Sequence, residues 1–279
     1  MFAGHPVEGV LPDGALYACT ACGLAFRFPI LAAHDYDVLY GDASSDCWAD
    51  DPGRTDWALV EEYLSQHAPE GARVLDFGCH TGGLLQRLGA RYLKTGVEVN
   101  PGAARLARER TGTEIVARLD ALASDKRFDI VTAVDVVEHF PDPGEVMASL
   151  LDVLARGGTL VVTTGDAGHW LAKVTGARWW YCYFPEHLAF ISEPWARGWL
   201  ARSGVRAQLV LARRFRHARL SPVRTVLQAS LVPLYLAAPR FYLRLGAAAR
   251  KALRRGDTAY PPGGGLTKDH LLLVLKRPS

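Results

Sequence analysis

Cysteine is scarce in this chain. Five occur among 279 residues, an odd number and mostly scattered, which argues against a disulfide framework and for a reducing compartment. Long apolar runs are missing too. Thr225 to Pro239 comes closest, but it is too short to span a bilayer and carries Gln228, Ser230 and Pro233. The start, Met1-Phe2-Ala3-Gly4-His5-Pro6, lacks the basic stretch and apolar run of a secretory signal. These absences predict a cytoplasmic protein. No internal repeat is present. With 49% hydrophobic residues the chain can build a sizeable core, and its length suits one large domain or one domain with additions.

Acidic residues are nearly absent from one region. Between Ala201 and Tyr260 there are thirteen arginines and lysines and a single acid, Asp257, against nineteen basic and twenty-eight acidic residues elsewhere. A net charge of +3 therefore hides an acidic body and one strongly basic segment. That segment should meet something anionic or pack against the acidic body.

What is there, from Arg54 onward, is an alternation of short apolar runs and helical patterns. Candidate strands are 73–77, 94–99, 114–117, 128–134, 159–164, 205–212 and 270–275. Asn100-Pro101 and Asp142-Pro143 each read as an N-cap followed by proline at the first helical position. Gly157-Gly158 reads as the end of the second of these helices, and Ser192 and Gly204 bracket a third. The pattern predicts βαβ units: a Rossmann-like, seven-stranded, mostly parallel sheet with helices on both faces. Residues 51–216 and 266–279 make up this domain. Residues 1–50 form an N-terminal extension and 217–265 a basic helical insertion, with Pro261-Pro262-Gly263-Gly264-Gly265 as a hinge or linker back into the fold.

The most informative segment is Val74-Leu75-Asp76-Phe77-Gly78-Cys79-His80-Thr81-Gly82-Gly83, an apolar strand entering a glycine turn that opens a helix. Such a turn lets backbone approach a ligand and offers free amides at the helix start. A dinucleotide fingerprint needs a middle glycine where His80 stands, which disfavours a nucleotide-dependent oxidoreductase. Asp76, two residues before the turn, would repel a diphosphate but suits a cationic amino acid. About twenty residues on, Gly96-Val97-Glu98-Val99-Asn100 ends the next strand in an acid placed to accept from ribose hydroxyls. Taken singly, each motif could be a tight turn or a surface acid; the two occur in register.

This D-x-G-x-x-x-G pattern resembles motif I of the class I methyltransferases. From about Asp56 to Arg214, and again at the last strand, the chain is similar to the branch containing ubiquinone-type O-methyltransferases and sugar C-methyltransferases. Further segments carry the likeness: Phe128-Asp129-Ile130-Val131, Asp135 to Pro143, and Glu186-His187-Leu188-Ala189-Phe190-Ile191-Ser192. The resemblance implies an S-adenosylmethionine-dependent enzyme. It implies that Asp76, Phe77, Gly78, Cys79, His80 and Gly82 hold the methionine part and that Glu98 and Val99 meet the ribose. Leu119 and Asp120 would flank the adenine, and Asp135 and Val136 would line the methionine end. His80 departs from the usual small residue of the turn. The sugar C-methylating relatives begin with two zinc-binding C-x-x-C pairs, whereas here only Cys19-Thr20-Ala21-Cys22 is present.

Methyl transfer to a hydroxyl or carbon acid is helped by a base near neutral pKa, for which histidine is suited. His187 and His139 follow strand ends, each preceded by a glutamate, Glu186 and Glu138. His187 with Glu186 is favoured as the base because the sugar C-methylating relatives place a Glu-His pair there; the alternative is that both histidines are structural. A metal reading is also open: Asp135, Glu138 and His139 have an acid-x-x-acid-His spacing seen in metal-dependent methyltransferases, with His187 as a further ligand for Mg²⁺ or a similar ion. The aromatic segment 170–184 is either a wall of the acceptor site or a satellite core. Cys19 and Cys22 could bind zinc, with His5 and Cys47 the nearby helpers for the four ligands zinc needs.

In the insertion, Arg240, Arg244, Lys251 and Arg255 recur on one helix face and Phe241, Leu245 and Ala248 on another. This suits an anionic membrane surface, or a lid holding a phosphate on the acceptor, or a helix packed on the acidic body. Nucleic acid ranks lower, because no nucleic-acid-binding module accompanies the charge. The expectation is methyl transfer to oxygen or carbon of a small, anionic or phosphate-bearing acceptor: a sugar nucleotide, polysaccharide intermediate or lipid-linked molecule. The alternative is an inactive methyltransferase fold that acts through its basic insertion.

Overall fold

A computed structural model describes residues 15–41, 54–254 and 259–279. His5, Cys47 and Arg255 lie outside the described residues. The elements run β1 Ala15–Ala18, β2 Ala25–Phe28, α1 Ala33–Gly41, α2 Thr55–His67, β3 Arg73–Phe77, α3 Gly83–Arg87, β4 Leu93–Val97, α4 Pro101–Thr111, β5 Glu114–Val116 and β6 Phe128–Val134. Then follow α5 Pro143–Asp152, β7 Leu154–Gly165, α6 Trp170–Thr175, β8 Ala189–Phe190, α7 Glu193–Ser203, β9 Gln208–Phe215, α8 Pro222–Ala237, α9 Pro239–Ala252 and β10 His270–Lys276.

Seven strands form one sheet in the order β5-β4-β3-β6-β7-β10-β9. β3 through β7 pair in parallel, and β10 runs antiparallel between β7 and β9. Central strands buried on both faces read as unbroken apolar runs, as in Leu271 to Leu275. Alternate residues feed two cores. Leu75, Val131, Leu160 and Leu273 pack against Met147 and Leu150 of α5 and Trp195 of α7. Val74, Ile130, Val161 and Leu272 meet Val60 and Leu64 of α2 and Leu84 of α3 on the other face.

The caps explain where the helices begin. Asn100 accepts from the Ala103 amide at 2.8 Å, Asp142 from Gly144 and Glu145 at 2.8 and 3.1 Å, and Ser192 from Trp195 at 3.3 Å. Gly157-Gly158 does something else. α5 already ends at Asp152, and the two glycines lie inside β7, where the pairing with β6 shifts register. Gly157 at φ 74° supplies the irregularity.

The N-terminal hairpin adds a second, three-stranded sheet, β1-β2-β8, which the sequence pattern does not announce because β8 has two residues. The segment 261–265 is no free hinge. Pro261, Pro262, Gly263 and Gly265 are buried, Gly263 donates to Gln228 of α8 at 3.0 Å, and Gly263 and Gly264 lie on the Trp180 indole.

Gly96 in β4 marks the tightest approach behind the site. A Cβ there would lie 2.5 Å from Ile115 Cδ1 and 2.6 Å from Cys79 Sγ. Gly96→Ala should destabilise the fold by about 1–3 kcal/mol through overpacking, read as a lower denaturant midpoint with unchanged slope.

Candidate active site

The crevice lies beyond the carboxyl ends of β3, β4 and β6, where a doubly wound sheet places its ligands. β3 delivers Asp76, which is buried and accepts from Thr132 Oγ1 of β6 at 2.7 Å. Burial lifts its pKa to about 7 against that hydrogen bond, and the Glu98 carboxylate adds to the rise. The chain then turns through Gly78, His80 and Gly82, at φ 75°, 47° and 82°. A Cβ on Gly78 would stand 2.6 Å from Val136 Cγ2, so no side chain fits between the turn and the loop after β6. Cys79 is buried under the turn with Leu85 and Ile115, its thiol pKa pushed up by burial.

Glu98, one residue past β4, is buried and bridges the turn. Its carboxylate accepts from the backbone amides of His80 and Asn100, both at 2.8 Å. Burial raises its pKa against those two donors. Val99 beside it is exposed. Leu119 is half-buried against the core, and Asp120 is exposed with Arg118 at 3.7 Å.

After β6, Asp135 adopts φ 52°. Its carboxylate pairs with Arg54, which also holds Asp56 at 3.0 Å. Burial drives the Asp135 pKa well above the usual range even beside that cation, and its Oδ1 is buried with no hydrogen-bond partner among the described residues. Burial works against the Arg54 charge, but Asp135 and Asp56 more than offset it and raise its pKa.

Glu138, His139 and His187 converge, with ligand atoms all within 4.8 Å of one another. The histidine rings stand perpendicular, centroids 5.0 Å apart. Glu138 is fully buried and accepts from Thr164 Oγ1 at 2.9 Å and from the Tyr181 hydroxyl; burial raises its pKa against these bonds. His187 Nδ1 lies 2.8 Å from the Tyr181 carbonyl, which fixes the proton on Nδ1 and leaves Nε2 as the acceptor. His139 Nδ1 is 2.6 Å from the Tyr40 hydroxyl of α1. Burial pushes His139 down to about 4, and burial together with His139 holds His187 well below its ordinary value.

The structure corrects two placements. Asp135 does not join the metal-type group, because its carboxylate turns to Arg54. Glu186, expected to act with His187, stands outside the Glu138–His139–His187 group: its carboxyl is buried and its pKa raised by burial, and among the described residues its Oε2 has no hydrogen-bond partner. Cys19 and Cys22 sit on the β1–β2 turn, where backbone amides lower the Cys19 thiol pKa. Among the described residues no third ligand joins them.

Sequence reading missed the residues that hold the site. Arg27 of β2 donates to the His187 carbonyl at 2.7 Å and the Phe184 carbonyl at 3.1 Å. Tyr40, Arg54 and Tyr181 complete the set. No local signal marks them: Arg27 in Ala25-Phe26-Arg27-Phe28 reads as any arginine of a short edge strand. The aromatic segment forms the satellite core, one of the two readings the sequence left open. Trp179, Trp180 and Tyr181 form a satellite core with Phe190, while the Tyr181 hydroxyl reaches Glu138. Trp170 is exposed and outside it.

The seven-stranded order with its antiparallel β10 and the glycine turn after β3 are those of the α/β class to which methyl-transferring enzymes belong. The sequence model described as a methyltransferase domain matches residues 53–208, and the chain belongs to that family. It is 32% identical over 166 residues to a ubiquinone biosynthesis O-methyltransferase of Xanthomonas axonopodis pv. citri, covering 53% of this chain and 68% of that one. A protein of the same description from Cereibacter sphaeroides is 34% identical over 143 residues, covering 46% and 57%. Among solved structures, a chain of the Haloferax volcanii complex of the Trm112 methyltransferase activator and a methyltransferase superposes with a TM-score of 0.56 at 16% identity, covering 88% and 98%. The plantazolicin methyltransferase in complex with SAH gives 0.50 at 14%, covering 81% and 83%. These last two show the shared fold. The enzyme uses S-adenosylmethionine, and the residues present fit it: Asp76 is a carboxylate buried at the crevice, its pKa raised by burial, and the cofactor brings an ammonium and a sulfonium to meet it.

The Asp76 shift has a signed consequence. Its folded pKa of about 7 lies above the ordinary 3.8, so in that window the folded chain holds a proton the unfolded chain has lost. Its contribution to stability therefore falls as pH rises from about 4 to 7. Thermal unfolding of ligand-free Asp76→Asn should show a shallower decline across that window than the parent; parallel slopes would assign the decline to other groups. Glu98→Ala should weaken S-adenosylhomocysteine binding about tenfold to a hundredfold by calorimetry, as a charged hydrogen-bond acceptor is removed.

Proposed function

We propose that the enzyme methylates a hydroxyl oxygen of a small, lipid-linked acceptor, with Asp76, the 77–82 turn, Glu98, Leu119–Asp120 and Asp135–Val136 holding the cofactor. The observation that carries this reading is the buried Glu138–His139–His187 group beside the Asp76–Asp135 end of the crevice. The relatives named for ubiquinone biosynthesis support oxygen as the acceptor atom. The bound cofactor supplies an electrophilic methyl whose bond to sulfur breaks as the bond to the acceptor oxygen forms. What the chain must do is align that oxygen and take its proton.

His187 is built for the second task. The Tyr181 carbonyl fixes its tautomer, leaving Nε2 as the acceptor, and Arg27 fixes the backbone that carries it. Burial keeps the ring neutral but holds its pKa low, so it takes the proton only as the oxygen, gaining the methyl, becomes acidic. Glu138 lies within 4.8 Å of a His187 ring nitrogen, and the buried Trp179, Trp180 and Tyr181 exclude water from one side.

A second reading is favoured by the same geometry. Two imidazole nitrogens and one carboxylate oxygen within 4.8 Å could hold a divalent cation. With Asp135 turned away, the donor set suits zinc or a similar transition ion better than Mg²⁺. His187 would then be a ligand, and the cation would lower the pKa of the acceptor hydroxyl.

The two readings separate in one experiment on hydroxylated lipid acceptors. His187→Ala should lower kcat by about 10²–10⁴-fold and leave S-adenosylhomocysteine affinity unchanged; undiminished turnover would remove His187 from the mechanism. Activity lost to a chelator and restored by a divalent ion selects the cation reading. Activity indifferent to chelation selects the base.

A further inference from the structure

We propose that the α8–α9 helical pair is a docking surface for an anionic lipid bilayer. α8 is apolar on nearly every side, yet only Tyr235 within it is buried. Val223, Val226 and Leu227 are among its most exposed residues, the first two at 77% and 71%. They share a helical face with Ser230 and Leu234, and that face carries no charge. A helix that is apolar all round belongs in a core or against lipid. Here the inner side packs on α9 through Tyr235 and Tyr242, ring centroids 5.6 Å apart, and the outer side is uncovered by any described residue.

α9 has the complementary layout. Phe241 and Leu245 are 58% and 55% exposed and continue at helical spacing through Ala248 to Ala252. Immediately beside this strip run Arg240, Arg244 and Lys251, all exposed. No carboxylate among the described residues pairs with these three, and no acidic residue occurs between Ala201 and Arg254. An apolar strip bordered by exposed cations with no carboxylate partner among the described residues matches the interface of an anionic membrane, where acyl chains take the apolar side chains and headgroup phosphates the cationic groups. A soluble protein partner would answer the apolar strip but gives no reason for cations without a single interspersed acid. Among the described residues no helix is long and apolar enough to cross a membrane, so the contact lies in the interface plane.

The pair is also tied to the acceptor side. Arg178 donates to the Leu236 carbonyl of α8, and Tyr183 donates to the Ala259 carbonyl just beyond α9 at 3.2 Å. Both belong to the aromatic segment whose Tyr181 reaches Glu138. A protein seated through α8 and α9 would thus present its acceptor crevice close to the lipid. The inference does not depend on which acceptor is methylated.

The test is co-sedimentation of the full chain with vesicles of phosphatidylcholine alone and of phosphatidylcholine with phosphatidylglycerol. Binding should require phosphatidylglycerol and weaken as salt rises. Arg240→Gln/Arg244→Gln/Lys251→Gln should bind on the order of a hundredfold more weakly, about fivefold for each charge removed. Phe241→Ser/Leu245→Ser should lose about tenfold or more. Both variants should keep the parent's thermal midpoint and its affinity for S-adenosylhomocysteine. No binding to either vesicle, equal binding to both, or binding indifferent to both variants would overturn the proposal. So would a dimer in light scattering that Phe241→Ser/Leu245→Ser dissociates in the absence of lipid.

Discussion

Four carboxyl groups, Asp76, Glu98 and Glu138 buried and Asp135 half-buried, are largely withdrawn from water at or just beyond the ends of three neighbouring parallel strands, with the half-buried guanidinium of Arg54 among them. Desolvating that much like charge is costly without a cation or hydrogen-bond donors to answer it. The surroundings follow from that need. Thr132 and Thr164 give hydroxyls, the turn gives the His80 amide, and α4 begins where the Asn100 amide can serve Glu98. Burial raises the pKa of each of the four, so the ligand-free crevice is primed for cationic and hydroxyl-bearing ligands.

The centre of the sheet was readable because both its faces are covered: strands buried on two sides must be largely apolar, as β6, β7 and β10 are. The edge strand β9 is mostly exposed, and its run at 205–212 reads three residues early. The glycine turn and Glu98 were readable because they are local: a carboxylate at a strand end and a backbone that must turn tightly leave marks within a few residues. Arg27, Tyr40 and Arg54 left none. Their partners, the His187 carbonyl, His139 and Asp135, lie 160, 99 and 81 positions away, and an arginine or tyrosine in a short amphipathic segment looks like any surface residue. The misreading of Gly157-Gly158 has the same origin. Two glycines before an apolar run end a helix or bend a strand, and the register between β6 and β7 decides which.

The N-terminal hairpin shows how a feature can be noticed for the wrong reason. Its cysteines attract attention, but its structural role lies in Arg27, which collects carbonyls from the segment carrying His187. β2 pairs with β8 immediately after that histidine, Ala25 opposite Phe190. The hairpin is therefore a brace. It fixes a loop that the parallel sheet alone would leave unsupported, and it brings α1 and its Tyr40 to the far side of the same histidine pair.

The reversal of β10 has a consequence for how such a chain can change. β9 runs with the parallel strands and ends on the crevice side; β10 runs against them and starts there, His270 opposite Phe215. Whatever joins them leaves and returns beside the ligand. This connection can lengthen, shorten or be replaced without altering a single strand pairing, yet every version arises next to the acceptor. The fold thus keeps the strands that carry the glycine turn and Glu98 apart from a connection whose length and sequence those strands do not constrain.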